Sequence, residues 1–279
     1  MADSFGERVE AATQALGPLC VGIDPSSGLL EQWDLNDDAA GLHAFCRACV
    51  EAFGGAVAAI KPQVAFFERH GAAGMAELES LIADASAAGL IVIADAKRGD
   101  VDSTAEAYAD AWLGAGSPLA VDAVTAHAYL GLGALAPLVQ RAAANGRGVL
   151  VVARSSNPEG RALQLASTAA GPSVEDMLLG EVAALNASAE VPAGTVGAVI
   201  GATLPPSLFP LSQLGGVILA PGLGAQGASP ADVGTRFAEC RPGTVLPSSS
   251  RGVLRHGPDP ADLRREAVSL SRELAAVMV

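Results

Sequence analysis

Leu90-Ile91-Val92-Ile93-Ala94-Asp95-Ala96-Lys97-Arg98-Gly99-Asp100-Val101 joins a continuous apolar run to a tight cluster of charges. An apolar run without polar alternation fits a strand covered on both faces, the usual condition of a parallel sheet. Alternate side chains of a strand share a face, so Asp95 and Lys97 are expected to point the same way. Asp100 follows shortly, just ahead of a helix start. Ionisable groups at the mouth of a buried strand lose hydration, and packing gives no reason to keep them there. The run reads as a catalytic site at a strand end.

Seven more apolar runs occur, at 19–24, 57–61, 120–125, 148–153, 196–202, 216–220 and 244–249. Alanine-rich segments with helical spacing separate them, as at 38–54, 74–88, 103–113, 132–145, 174–188 and 230–240. Ser4-x-x-Glu7 and Ser103-x-x-Glu106 have the form of capping boxes. Gly89, Gly146 and Gly215 stand where a left-handed residue ends a helical segment. A leading helix at 4–16 and a closing one at 260–278 flank the series. Eight strand–helix repeats in about 250 residues are the pattern of a (β/α)8 TIM barrel of the α/β class. A doubly wound open sheet is the competing arrangement. No low-complexity linker divides residues 1–279, so one barrel domain is expected. The connection at 155–195 is longer than the others and is expected to carry a loop over the active face.

Half of the 279 residues are hydrophobic, enough for a large core. No apolar run approaches the roughly 18 residues of a membrane-crossing helix, and the N-terminal stretch is acidic where a signal peptide is basic. A soluble, cytoplasmic protein is expected. The net charge of −13, without a basic stripe, argues against nucleic acid as a partner. An anionic substrate would depend on a few lysines and arginines near strand ends. Cys46 and Cys49 form a C-x-x-C inside a helical segment while Cys20 and Cys240 stand alone, so a zinc ligand set lacks its second pair. All four cysteines read as packing residues, as do Trp33 and Trp112.

Catalytic groups of such barrels stand at the C-terminal ends of strands. There this chain has Asp24, Lys61, Asp95, Lys97 and the Arg154-Ser155-Ser156-Asn157 stretch. Acids and lysines in alternation hold each other ionised, a costly array that suits a site needing fixed charges. The loops after strands seven and eight are the usual phosphate site. Gly222, Gly224 and Gly227 let backbone N–H groups approach phosphate oxygens, and Arg251 offers a planar two-pronged donor. His127 falls on the active face without an assigned role. Ser155-Ser156 lacks the surroundings of a hydrolase nucleophile.

Asp95-x-Lys97-x-x-Asp100-Val101, with Thr104 behind it, resembles the signature of the orotidine 5′-phosphate decarboxylase family. Asp24, Ile60-Lys61-Pro62-Gln63, Ser156-Asn157-Pro158, Pro221-Gly222-x-Gly224-x-Gln226-Gly227 and Arg251 extend the resemblance over nearly the whole chain. The stretch from Lys61 to Glu68 and the chain length resemble the longer bacterial, type 2 branch. The resemblance implies conversion of orotidine 5′-phosphate to uridine 5′-phosphate in pyrimidine biosynthesis, with no metal and no cofactor. It implies that Lys97 protonates C6, that Asp95 sits against the substrate carboxylate, and that Lys61 holds Asp95 and a ribose hydroxyl. Asp24 would bind the ribose, Ser156 the pyrimidine edge, and Gln226 and Arg251 the phosphate. Asp100 and Thr104 would complete the neighbouring site of a homodimer. Arg98 and Gly99 receive no role. A magnesium-dependent sugar-phosphate decarboxylase or synthase shares the Asp-x-Lys-x-x-Asp motif but carries an acid where this chain has Lys61. A non-catalytic phosphate-binding barrel is the other alternative.

Overall fold

The computed structural model describes residues 3–224 and 227–278. Eight parallel strands close into a barrel in chain order. They are β1 Cys20–Ile23, β2 Ala59–Pro62, β3 Ile91–Arg98, β4 Ala123–Ala126, β5 Gly148–Arg154, β6 Val196–Ile200, β7 Ile218–Pro221 and β8 Val245–Ser249. Cys20 and Val21 of β1 pair with Ser248 and Ser249 of β8, which closes the ring and rules out the open sheet.

Strand parity divides the apolar residues into two clusters. Cys20, Ala59, Ile91, Ile93, Ala123, Leu150, Val199, Leu219 and Leu246 fill the barrel interior. Their neighbours of opposite parity, such as Val21, Ile60, Val92, Val124, Val151 and Ile218, join an outer cluster with helical residues including Leu42, Phe45, Leu78 and Leu81. The interior cluster has a floor. Phe5 and Val9, from the helix Phe5–Leu16, belong to it and are wholly buried. A Cβ built on Gly148 would lie 2.4 Å from the Phe5 ring, so this glycine leaves the ring its place. Ser4 caps the helix in a reciprocal box with Glu7, as its spacing predicts.

The parity that sends apolar residues inward at the floor sends polar ones inward at the rim. Asp24 follows Cys20 and Gly22, Lys61 follows Ala59, Asp95 follows Ile91 and Ile93, and Thr125 follows Ala123. The barrel is therefore greasy at one end and ionic at the other.

Three local expectations are corrected. The helix Asp102–Leu113 begins one residue before Ser103, with Val101 at its N-cap and no side-chain bond there, so Ser103 and Glu106 form no capping box. Asp102 enters the helix at φ 49°, which moves the start ahead of the serine. Between β6 and β7 the described chain has only the 3-10 turn Leu211–Gln213 in place of an α-helix. Pro205, Pro206 and Pro210 remove amide donors there. The segment expected at 132–145 opens as a 3-10 turn, Leu132–Leu135, before the α-helix Ala136–Ala144, which has Pro137 in its first turn. Gly89 and Gly146 adopt φ of 77° and 63° after their α-helices, as expected, whereas Gly215, at φ 67°, follows only the 3-10 turn. Among the described residues no helix is long and apolar enough to cross a membrane.

The floor makes a direct prediction. Phe5→Ala removes a wholly buried ring from the interior cluster. Urea unfolding is expected to show a loss of about 3–5 kcal/mol.

Candidate active site

The rim residues converge on Asp95. Its carboxylate accepts the Lys61 ammonium at 3.0 Å, the Lys97 ammonium at 2.5 Å and the Thr125 hydroxyl at 2.9 Å. Gln63 stands beside Asp95 in a bridge that extends the β2–β3 pairing, and its Nε2 donates to the Asp95 carbonyl at 3.4 Å. Lys61 starts one layer lower, and its four-carbon stem carries the ammonium up to the carboxylate. Asp24 Oδ1 lies 4.0 Å from the same ammonium and, though buried, has no hydrogen-bond partner among the described residues.

Burial is the largest influence on both partners of the central pair, and charge overturns it in each. Burial pushes Asp95 upward, yet the charges of Lys61 and Lys97 and their hydrogen bonds bring its pKa down to about 2. Burial pushes Lys61 downward, yet Asp95 and then Asp24 raise its pKa above the ordinary lysine value. Both groups stay ionised at neutral pH with side chains only 7% and 12% exposed. A buried pair of this kind is often no more stabilising than apolar residues of equal volume. Its retention points to chemistry.

These side chains form one wall of a cavity of about 310 Å³ at the C-terminal end of the barrel, large enough for a small ligand. Ser155, Ser156, Gly222, Ser248, Ser250 and Arg251 line the rest. The loop after β5 is tied to itself. The Ser155 N–H donates to Gln164 Oε1 at 3.1 Å, and Gln164 Nε2 donates to Ser155 Oγ at 2.8 Å. Behind it, Arg154 forms a buried ion pair with Glu175 of the helix Val174–Ala187. A wider depression of about 950 Å³ opens at the barrel's other end, where Glu7 is engaged in the Ser4 cap and Glu10 in an ion pair with Arg241.

A family model described as "Orotidine 5'-phosphate decarboxylase / HUMPS family" matches residues 17–266. The chain belongs to that family. A protein of Salinispora arenicola named orotidine 5′-phosphate decarboxylase is 53% identical over 265 residues, 95% of each chain. One of Salinispora tropica with the same name is 52% identical over the same share. A crystal structure from Streptomyces avermitilis matches with TM-score 0.92 and 49% identity, covering 99% of this chain and 96% of that one.

Of the residues singled out from the family resemblance, Asp24, Lys61, Asp95, Lys97, Ser156, Gly222 and Arg251 all line the cavity. Gly222, Gly224 and Gly227 have φ of 115°, 76° and 104°, which suits glycine. The amides of Gly224 and Gly227 are engaged within the loop, on the carbonyls of Ala228 and Gly224 at 2.9 and 2.8 Å. Gln226 lies outside the described residues. Asp100 and Thr104 do not line this cavity; Asp100 Oδ1 accepts the Val101 N–H at 2.8 Å, and Thr104 is exposed. His127 has its pKa lowered by burial first and by the Lys97 charge second, against a weaker pull from Asp95. Sequence reasoning passed over Thr125, Ser248 and Ser250. Their inward parity, two or four residues beyond an interior core position, was the available signal.

The Asp95 shift sets a pH dependence of stability. Its ordinary value is 3.8 and its folded value about 2, so the stabilisation is complete above 3.8 and fades as pH falls through about 2. It amounts to roughly 2 kcal/mol near neutrality. Urea unfolding followed from pH 5 to pH 2 is expected to show that loss in the wild type and a correspondingly smaller one in Asp95→Asn.

Proposed function

We propose that this protein decarboxylates orotidine 5′-phosphate to uridine 5′-phosphate without metal or organic cofactor. The observation that carries the reading is the pair of ammonium groups on Asp95, at 3.0 and 2.5 Å, facing a cavity with Arg251 on its far side. The C6–carboxylate bond breaks with its electron pair left on C6, in the plane of a ring that cannot delocalise it. Lys97 gives a proton to that carbon, carbon dioxide departs neutral, and solvent reprotonates the lysine. An ammonium fixed beside C6 stabilises the developing charge more than it stabilises the substrate. Asp95 repels the substrate carboxylate, and that repulsion ends as carbon dioxide forms. Asp24 and Lys61 hold the ribose, Ser156 the pyrimidine edge, and Arg251, Gln226 and Gly222 the phosphate, while Gly224 and Gly227, their amides engaged within the loop, shape the turn rather than donate to the phosphate.

Lys61 supports this reading over a magnesium-using one. Its ammonium lies 3.0 Å from Asp95 and 4.0 Å from Asp24, the space a divalent cation shared by these carboxylates would need. A homodimer, in which Asp100 and Thr104 complete the partner's site, is part of the same proposal. Neither lines its own cavity, and the nearby chain exposes Val101, Tyr129 and Leu130, by 44%, 80% and 56%. Apolar exposure of that kind suits a contact surface. A cytoplasmic location accompanies the reading, since four unpaired thiols suit a reducing compartment.

Absorbance loss of orotidine 5′-phosphate in excess chelator tests the reaction. Turnover is expected to persist, whereas activity restored only by magnesium would reject the reading. Lys97→Ala is expected to lower kcat by at least about 10³-fold while uridine 5′-phosphate still binds. Arg251→Ala is expected chiefly to raise KM. Mixing inactive Lys97→Ala with inactive Asp100→Ala tests the shared site. Roughly a quarter of wild-type activity is expected to return, because half the dimers are mixed and each holds one intact site. No recovery would mean that Asp100 serves its own subunit.

A further inference from the structure

Lys97 has a backbone φ of 49°, in the left-handed region where a residue with a side chain is strained. The strand loses register there. Ala94 pairs with Val124 and Arg98 with Ala126, so β3 advances four residues while β4 advances two. A bulge of this kind re-aims side chains, and here it turns the Lys97 ammonium back onto Asp95. Strain of this sort persists only where the surroundings fix it. Thr125 fixes the near side, its Oγ1 accepting the Lys97 N–H at 2.9 Å.

Arg98 fixes the far side. Its guanidinium donates to the Ala96 carbonyl at 2.7 Å, so its side chain bridges the backbone on both flanks of Lys97. The same group pairs with Glu68 and lies over the rings of Tyr108 and Trp112, at 5.9 and 5.8 Å from their centroids. The Arg98 carbonyl accepts the His127 N–H at 3.0 Å, completing the attachment to β4. Glu68 ends the short helix Ala65–Glu68 that follows β2, so the pair also ties the chain beyond Lys61 to the bulge. Arg98 does not line the cavity.

We infer that Arg98 is a positioning residue that staples the strained bulge and so holds the Lys97 ammonium at the reacting carbon. It binds no substrate. A planar fork that donates on one edge while its face stacks on aromatic rings is a property of arginine that lysine lacks. Losing it lets the bulge relax and swings the ammonium away from Asp95. Phosphate and ribose contacts stay where they are.

The inference rests on the decarboxylase reading, and the test separates the two. Wild type, Arg98→Met, Arg98→Lys and Glu68→Gln are assayed with orotidine 5′-phosphate, and uridine 5′-phosphate binding is measured by calorimetry. An inactive wild type would reject the functional reading itself. With an active wild type, Arg98→Met is expected to lose at least tenfold in kcat, with KM and product affinity within threefold. Arg98→Lys is expected to recover part of the loss. A kcat within twofold of wild type, or a loss confined to KM, would overturn the inference. Should Arg98→Met fail to fold, Glu68→Gln carries the same split. A kcat at least twofold lower at unchanged KM supports the staple, and an unchanged kcat overturns it.

Discussion

The contact between Lys61 and Asp95, made with both side chains almost removed from water, is the constraint around which the rest of the structure is arranged. Neither charge is tolerable there alone. Burial works against each ionised form, and each survives because the other is within hydrogen-bonding distance. Lys97 and Thr125 then occupy the other oxygen of Asp95, so the carboxylate cannot turn. A carboxylate fixed in that way gains stability from being ionised but little over apolar residues of equal volume, and it is a good electrostatic instrument.

The barrel divides the labour of supporting it. Apolar residues of inward parity, closed from below by Phe5 and Val9, supply the floor, and the same parity delivers charge to the rim. Few extra devices are needed to build the site, since counting two residues further along a strand exchanges grease for chemistry. The exception is Lys97. It reaches Asp95 through a left-handed bulge, and the chain spends two side chains, Thr125 and Arg98, on keeping that bulge in place.

Much of this was legible in the sequence. The eight apolar runs overlap the eight strands, because parallel strands buried on both faces leave an uninterrupted hydrophobic signature. The convergence of Asp24, Lys61 and Asp95 followed from strand ends alone, whereas Lys97 meets Asp95 through a bulge that simple alternation does not encode. Thr125 escaped notice because a β-branched residue ending an apolar run looks like any strand former. The Ser103 box failed because its pattern ignores the unusual backbone of Asp102 beside it. The missing helix between β6 and β7 reflects a proline-rich connection, and periodicity reports poorly on such segments. That the Gly224 and Gly227 amides turn inward on their own loop is a matter of hydrogen-bond partners, which spacing does not encode.

The left-handed lysine also bears on how far such a barrel can be hardened against heat. Glycine would relax the backbone at position 97 but carries no amine, and any other residue keeps the strain while losing the ammonium that meets Asp95. The position is held away from its own stability optimum by what it must present. Heat tolerance in this fold therefore has to be gained at a distance, in the floor beneath Phe5 and along the outer helices, while the rim stays under tension.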